Sequence, residues 1–181
     1  MKNGKLQIGL IGCGGIAEQK HMPALSRLPE LCEIVAFCDI IEERAVKAAA
    51  DYGAPDAKVY TDYHELLADP EVNTVILTAP NHLHKEMCIK AAKAGKNVIS
   101  EKPAALNVEQ LDEMEAACKE AGVLFTVHQN RRWDKDMLIV KKAFDEGLLG
   151  NIFTIESKLH SGNGYMHEWH LYKKFGGETC R

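Results

Sequence analysis

The chain is 181 residues long, 46% hydrophobic and 27% charged, with a formal net charge of −4 at neutral pH. That length holds one ordinary domain with room for part of another, and the apolar fraction is enough for a substantial core. A mildly acidic balance excludes a nucleic-acid or anionic-membrane surface as chief partner, and no apolar run reaches the roughly 20 residues that span a bilayer.

The first residues run straight into a strand pattern without the apolar stretch of a signal peptide. The six cysteines (Cys13, Cys32, Cys38, Cys88, Cys118, Cys180) form no CxxC pair. Together these features predict a cytoplasmic protein with reduced thiols. Strands are expected over residues 7–13 (QIGLIGC), 33–39, 74–80, 97–101 and 124–129, each almost wholly apolar. Between them, helices are expected over 16–28, Glu42–Tyr52, 63–69, 83–94 and Val108–Ala121. Asn107 with Gln110 suits the start of the last helix, and Gly95 and Gly122 stand where helices end. Nearly continuous apolar strands alternating with helices predict a doubly wound, mostly parallel α/β sheet. After Gln129 the rhythm changes. A helix over 135–146, with Met137, Ile139, Val140, Ala143 and Phe144 as its apolar positions, is followed by Gly147 and Gly150, a strand over 151–160 and a Gly162-Asn163-Gly164 turn. One helix and one strand make no core alone, so the expectation is a complete domain over 1–129 and the beginning of an α+β domain over 130–181.

Gly12-Cys13-Gly14-Gly15-Ile16-Ala17 is G-x-G-x-x-A, placed after a predicted strand and opening a predicted helix. Gly12 permits a tight turn, and Gly14 lets the backbone approach a pyrophosphate. Gly15 and Ile16 carry N–H groups at the helix start, and Ala17 allows close packing; this is the chemistry of a dinucleotide-binding Rossmann turn. Asp39 ends the second strand, where a carboxylate can accept ribose hydroxyls. That charge favours NAD over NADP, although Arg44 one turn on keeps NADP open. A methyltransferase can pair a similar turn with an acidic residue, and the later motifs must exclude it.

Ligands in such a sheet lie beyond the carboxyl ends of the strands. Those ends carry Thr78-Ala79-Pro80-Asn81 followed by His82 and His84, then Ser100-Glu101-Lys102-Pro103, then His128-Gln129-Asn130-Arg131-Arg132. Lys102 is the expected catalytic residue, able to stabilise a developing alkoxide or to move a proton when desolvated. The alternative for it is an ion pair with Glu101 that caps the strand. Thr78, Pro80, Asn81, His84, Glu101, Asn130 and Arg131 complete the expected cofactor contacts. No metal site is expected: His167 and His170 are three apart with no third ligand nearby. There is neither a G-x-S-x-G elbow nor a P-loop lysine.

Taken together, the glycine turn, Asp39, Thr78 to Asn81 with His84, Ala94-Gly95-Lys96-Asn97-Val98, Glu101-Lys102-Pro103, Asn130-Arg131-Arg132 and Gly147-x-x-Gly150-Asn151-Ile152 resemble the Gfo/Idh/MocA oxidoreductase family. The AGKxVxxEKP string is its most specific part and removes the methyltransferase alternative. The resemblance implies NAD(P)-dependent hydride transfer to or from a hydroxyl or carbonyl of a sugar, cyclitol or related small molecule. It also implies a catalytic Lys102, a cis bond before Pro103 and homodimers or homotetramers. Family members carry a downstream glycine-rich segment leading to an aspartate and a histidine on one helix. Gly176-Gly177 resembles its start, so the expectation is a truncated second domain that lacks this acid/base histidine. A non-catalytic NAD(P)-binding sensor of the same family is the alternative.

Overall fold

The computed structural model describes residues 4–158 and residue 172. Six strands form one sheet: β1 (Leu6–Ile11), β2 (Cys32–Cys38), β3 (Lys58–Tyr60), β4 (Thr74–Leu77), β5 (Asn97–Ser100) and β6 (Phe125–Val127). Every pairing is parallel, in the order β3-β2-β1-β4-β5-β6. The order reverses between β1 and β4, so a crevice opens there beyond the strand ends.

Alternate residues of each strand enter two separate cores, one on each face of the sheet. Val75, Leu77 and Val98 pack with Leu66, Met87, Cys88, Ala91 and Met114 on one face. Ile8, Leu10, Ile34, Phe37 and Ile76 pack with Ala17, Met22, Ala45 and Ala48 on the other. The covering helices are α1 (Met22–Leu25, continuing a π-helical stretch Ala17–His21), α2 (Glu42–Tyr52), α3 (Tyr63–Ala68), α4 (His84–Lys93) and α5 (Val108–Ala121). Helix α6 (Lys135–Asp145) follows the sheet and buries none of its residues among those described.

Local chemistry explains the boundaries. Asn107 accepts a hydrogen bond from the Gln110 N–H at 2.9 Å, as its spacing predicted, and Gly122 ends α5 in the left-handed region at φ 67°. The first helix differs from the expected continuous α-helix. Pro23 has no N–H for the Gln19 carbonyl and its ring would crowd that carbonyl, so the preceding turn widens. The Met22 N–H accordingly reaches back to the Ala17 carbonyl. Two further expectations need correction. β3 was not foreseen, because three residues on a sheet edge show no usable periodicity. The strand expected over 151–160 does not form over 151–158, which pair with no strand among the described residues; residues 159 and 160 lie outside the described residues, as do the Gly162–Gly164 turn, His167, His170, Gly176, Gly177 and Cys180.

The AGK part of the family-like string is structural. Lys96 is 8% exposed, and its ammonium donates to the Asp69 and Val72 carbonyls at 2.7 Å each. Burial pushes its pKa down from the usual lysine value, with the Asp69 carboxylate opposing. Lys96→Met removes the ammonium from both carbonyls and should lower the unfolding free energy by ~1–3 kcal/mol, read as a lower urea midpoint.

Candidate functional site

The glycine turn is held by its neighbours before any ligand arrives. The Gly12 N–H donates to the Cys38 carbonyl at 2.7 Å, and the Thr78 hydroxyl donates to the Ile11 and Gly12 carbonyls. Gly12 has φ +96°, and a Cβ there would stand 2.8 Å from the Thr78 carbonyl oxygen. Asp39 is 8% exposed; one oxygen accepts the Cys13 N–H at 2.8 Å and the other the Ile41 N–H at 2.9 Å. It therefore clamps the turn to the end of β2, a role its spacing did not announce. A carboxylate offers about four lone-pair sites, so a ribose hydroxyl remains compatible with the clamp.

Gly14 differs from Gly12. Its φ lies outside the left-handed region and a Cβ there would meet nothing within 4 Å. Neither the backbone nor the neighbouring protein requires a glycine at that position, and its absent side chain leaves the main chain open to close approach. The first N–H groups of a helix have no intrahelical acceptors, and the dipole favours an anion there. Gly15 and Ile16 stand exposed at this helix start. The residues present fit a pyrophosphate.

The other strand ends meet on the same side. The Lys102–Pro103 peptide bond is cis. His84 is fully buried, with Nδ1 2.9 Å from the Pro103 carbonyl and Nε2 2.9 Å from the Ala79 carbonyl. The structure thus places His84 beneath the cleft, between its two loops, with a main-chain carbonyl beside each ring nitrogen. Pro80 and Asn81 form the half-buried turn above it. Lys102 is exposed on a cavity of about 420 Å³ shared with Gln129, Asn130, Arg131, Arg132 and Met137. Arg131 is steadied by Asp134 at 3.2 Å. Lys102 therefore does not pair with its neighbour Glu101 to cap the strand: the Glu101 carboxylate is turned inward and 6% exposed.

Glu101 has other partners, which sequence reasoning missed. Its Oε1 accepts from His21 Nε2 at 2.7 Å and from His128 Nδ1 at 2.8 Å, while Oε2 accepts the Lys102 N–H at 3.0 Å. The two imidazoles lie 4.6 Å apart, centroid to centroid. Burial alone would raise the Glu101 pKa, but these three donors outweigh it and hold the group at about 2. The one available signal was His21 itself, a polar residue four after Ala17 on the apolar face of the first helix. Among the described residues all five cysteines are buried, and burial, reinforced by the Asp39 carboxylate, pushes Cys13 and Cys38 up to about 12, away from the nucleophilic thiolate.

The profile of the oxidoreductase family with an NAD-binding Rossmann fold matches residues 6–129. The scyllo-inositol 2-dehydrogenase (NADP(+)) IolW of Bacillus subtilis is 35% identical over 151 residues, which are 83% of this chain and 40% of that enzyme. An NAD-binding protein from Listeria innocua superposes with a TM-score of 0.86 at 36% identity, over 96% of this chain and 50% of that one. The WlbA dehydrogenase of Bordetella pertussis, solved with NADH and UDP-GlcNAcA, superposes with a TM-score of 0.75 at 34% identity, over 82% of this chain and 44% of that one. The chain thus spans half or less of the length of these proteins. Among the described residues no helix is long and apolar enough to cross a membrane.

The two glycines should respond oppositely to alanine. Gly12→Ala forces a side chain into the left-handed region and onto a carbonyl, and should cost ~1–3 kcal/mol of stability. Gly14→Ala should stay within about 0.5 kcal/mol of the parent; equal losses in thermal or urea melts would refute the distinction. Glu101 has a folded-state pKa of about 2 against an ordinary 4.5. Its stabilisation is therefore complete above pH 4.5 and lost as pH falls toward 2. The stability gap between the parent and Glu101→Gln should narrow over that window in urea titrations at stepped pH.

Proposed function

The chain belongs to the Gfo/Idh/MocA oxidoreductase family, and from that premise we propose that it binds NAD in the crevice above β1 and β4 and serves hydride transfer to or from a small polyol or sugar. The observation that carries this reading is the convergence of two independent features on one edge of the sheet. One is a glycine turn with room at Gly14 that the protein itself does not fill; the other is an exposed Lys102 on a cavity of about 420 Å³. Gly12, Gly14, Gly15 and Ile16 would hold the pyrophosphate, and Asp39 the adenosine ribose. Thr78, Pro80, Asn81, Asn130 and Arg131 would line the rest of the cofactor cleft, with Glu101 beneath it. When bound, the dinucleotide supplies the hydride acceptor or donor. Asp39 favours NAD, because a 2′-phosphate beside a buried carboxylate is repelled.

Lys102 is the proposed catalytic residue. Its ammonium can donate a hydrogen bond to the substrate oxygen and stabilise the negative charge that develops there on oxidation. Residues 130–181 are proposed as the start of the substrate domain, which in the whole protein would supply specificity, the remaining proton-handling group and the homo-oligomer contact. The exposed Met137, Ile139, Val140 and Phe144 of α6 support this, since such a patch ordinarily packs against further protein. Five buried free thiols suit a reducing compartment, hence the cytoplasm.

Titration with NADH followed by fluorescence, then a panel of polyols and sugars with NAD and NADP, tests the reading. NADH should bind, NADPH more weakly. Lys102→Ala should lower turnover by about 10²–10⁴-fold while leaving NADH affinity nearly intact. Binding without turnover of any substrate points to a cofactor-binding sensor; failure to bind either dinucleotide defeats both.

A further inference from the structure

Glu101-Lys102-Pro103 is gripped at three points. His21 and His128 hold the Glu101 carboxylate, Glu101 Oε2 holds the Lys102 N–H, and His84 holds the Pro103 carbonyl. His21, Glu101 and His128 come from three separate segments: the π-helical stretch, the end of β5 and the end of β6. His21, Glu101 and His128 also offer three metal-ligating atoms within 4.8 Å of one another. Yet both nitrogens sit at 2.7–2.8 Å from a single oxygen, closer than the roughly 3 Å between neighbouring ligands around a first-row ion with bonds near 2.1 Å. The spacing is that of shared protons. Two donors to one oxygen fix the chemistry: His21 donates through Nε2–H and His128 through Nδ1–H, together filling that oxygen's lone pairs.

We propose that Glu101 is a positioning residue. Anchored by His21 and His128, it fixes the main chain of Lys102 and thereby sets where the lysine ammonium stands in the cleft. This rests on the reading of Lys102 given above. Hydrogen bonds from the first helix and from the end of β6 converge on this point, so the wall carrying the glycine turn and the lip carrying Asn130 and Arg131 are held in register with Lys102. The π-helical widening ahead of Pro23 lies in the very stretch that ends at His21, making it part of the same device.

The test exploits side chains that imitate one nitrogen at a time. Asparagine places a donor where histidine Nδ1 stands, and glutamine where Nε2 stands. His128→Asn and His21→Gln should behave like the parent, whereas His128→Leu and His21→Leu should lower kcat by about 10²-fold with the KM for NADH unmoved. Nitrogen-15 spectra of the imidazoles should show His21 as the Nε2–H tautomer and His128 as the Nδ1–H tautomer. With lysines carrying ¹³C-methyl groups, the Lys102 signal should shift on NADH addition in the parent and both amide variants, but not in the leucine variants. Leucine variants indistinguishable from the parent, opposite tautomers, or stoichiometric Co²⁺ binding lost on Glu101→Gln would each overturn the proposal. Loss of NADH binding by the parent would instead defeat the functional reading, while the tautomers still decide the network.

Discussion

A buried carboxylate is costly unless donors surround it, and Glu101 meets that condition with three. Two come from imidazoles on other segments and one from the next residue's main chain. Because the charge is tolerable only while those donors stay in place, the first helix, the end of β5 and the end of β6 are coupled. A shift of the first helix or of the end of β6 would strip one donor from a buried charge. The cleft is therefore organised from beneath, and Lys102 stands where main-chain constraints put it.

The sheet order supplies the stage for that constraint. Reversal between β1 and β4 parts the loops that follow them, and the polar residues after β1, β4, β5 and β6 open onto the same edge. Two glycines in one motif serve different masters there. Gly12 answers to the protein, through its φ and the Thr78 carbonyl; at Gly14 the protein imposes no such demand and leaves open space. Asp39 likewise works on the protein first, tying the turn to β2. His84 joins two loops of the cleft without reaching into it.

The histidines show how a buried polar group can be a structural necessity and a functional aid together. His84 ties the loop after β4 to Pro103, and His21 and His128 tie Glu101. Each removes freedom from the loops around Lys102, and preorganisation of this kind lessens what must be ordered when a substrate binds. After β6, α6 presents apolar residues outward among the described residues. The character of the chain changes there from a closed two-faced sheet to a surface with an unsatisfied apolar face.

Much of the fold was legible from sequence because strong local patterns coincide with local physics. The helices Glu42–Tyr52 and Val108–Ala121 match their expected limits, the Asn107 cap forms, and the strand ends fall within a few residues of expectation. The places of the glycine turn and of Lys102, each just beyond a strand end, were legible for the same reason. What remained hidden depends on contacts between distant segments. Three residues of β3 carry no period of their own, and the pattern over 151–158 could not reveal that it pairs with no strand among the described residues. Nor could spacing show that His21 and His128, 107 positions apart in the chain, would donate to one oxygen of Glu101. Sequence determined which elements form and which groups can do chemistry. Only the tertiary structure decided which of those groups face the cleft and which are buried to hold it, because burial and hydrogen-bond partnership belong to the packed sheet and not to any one segment.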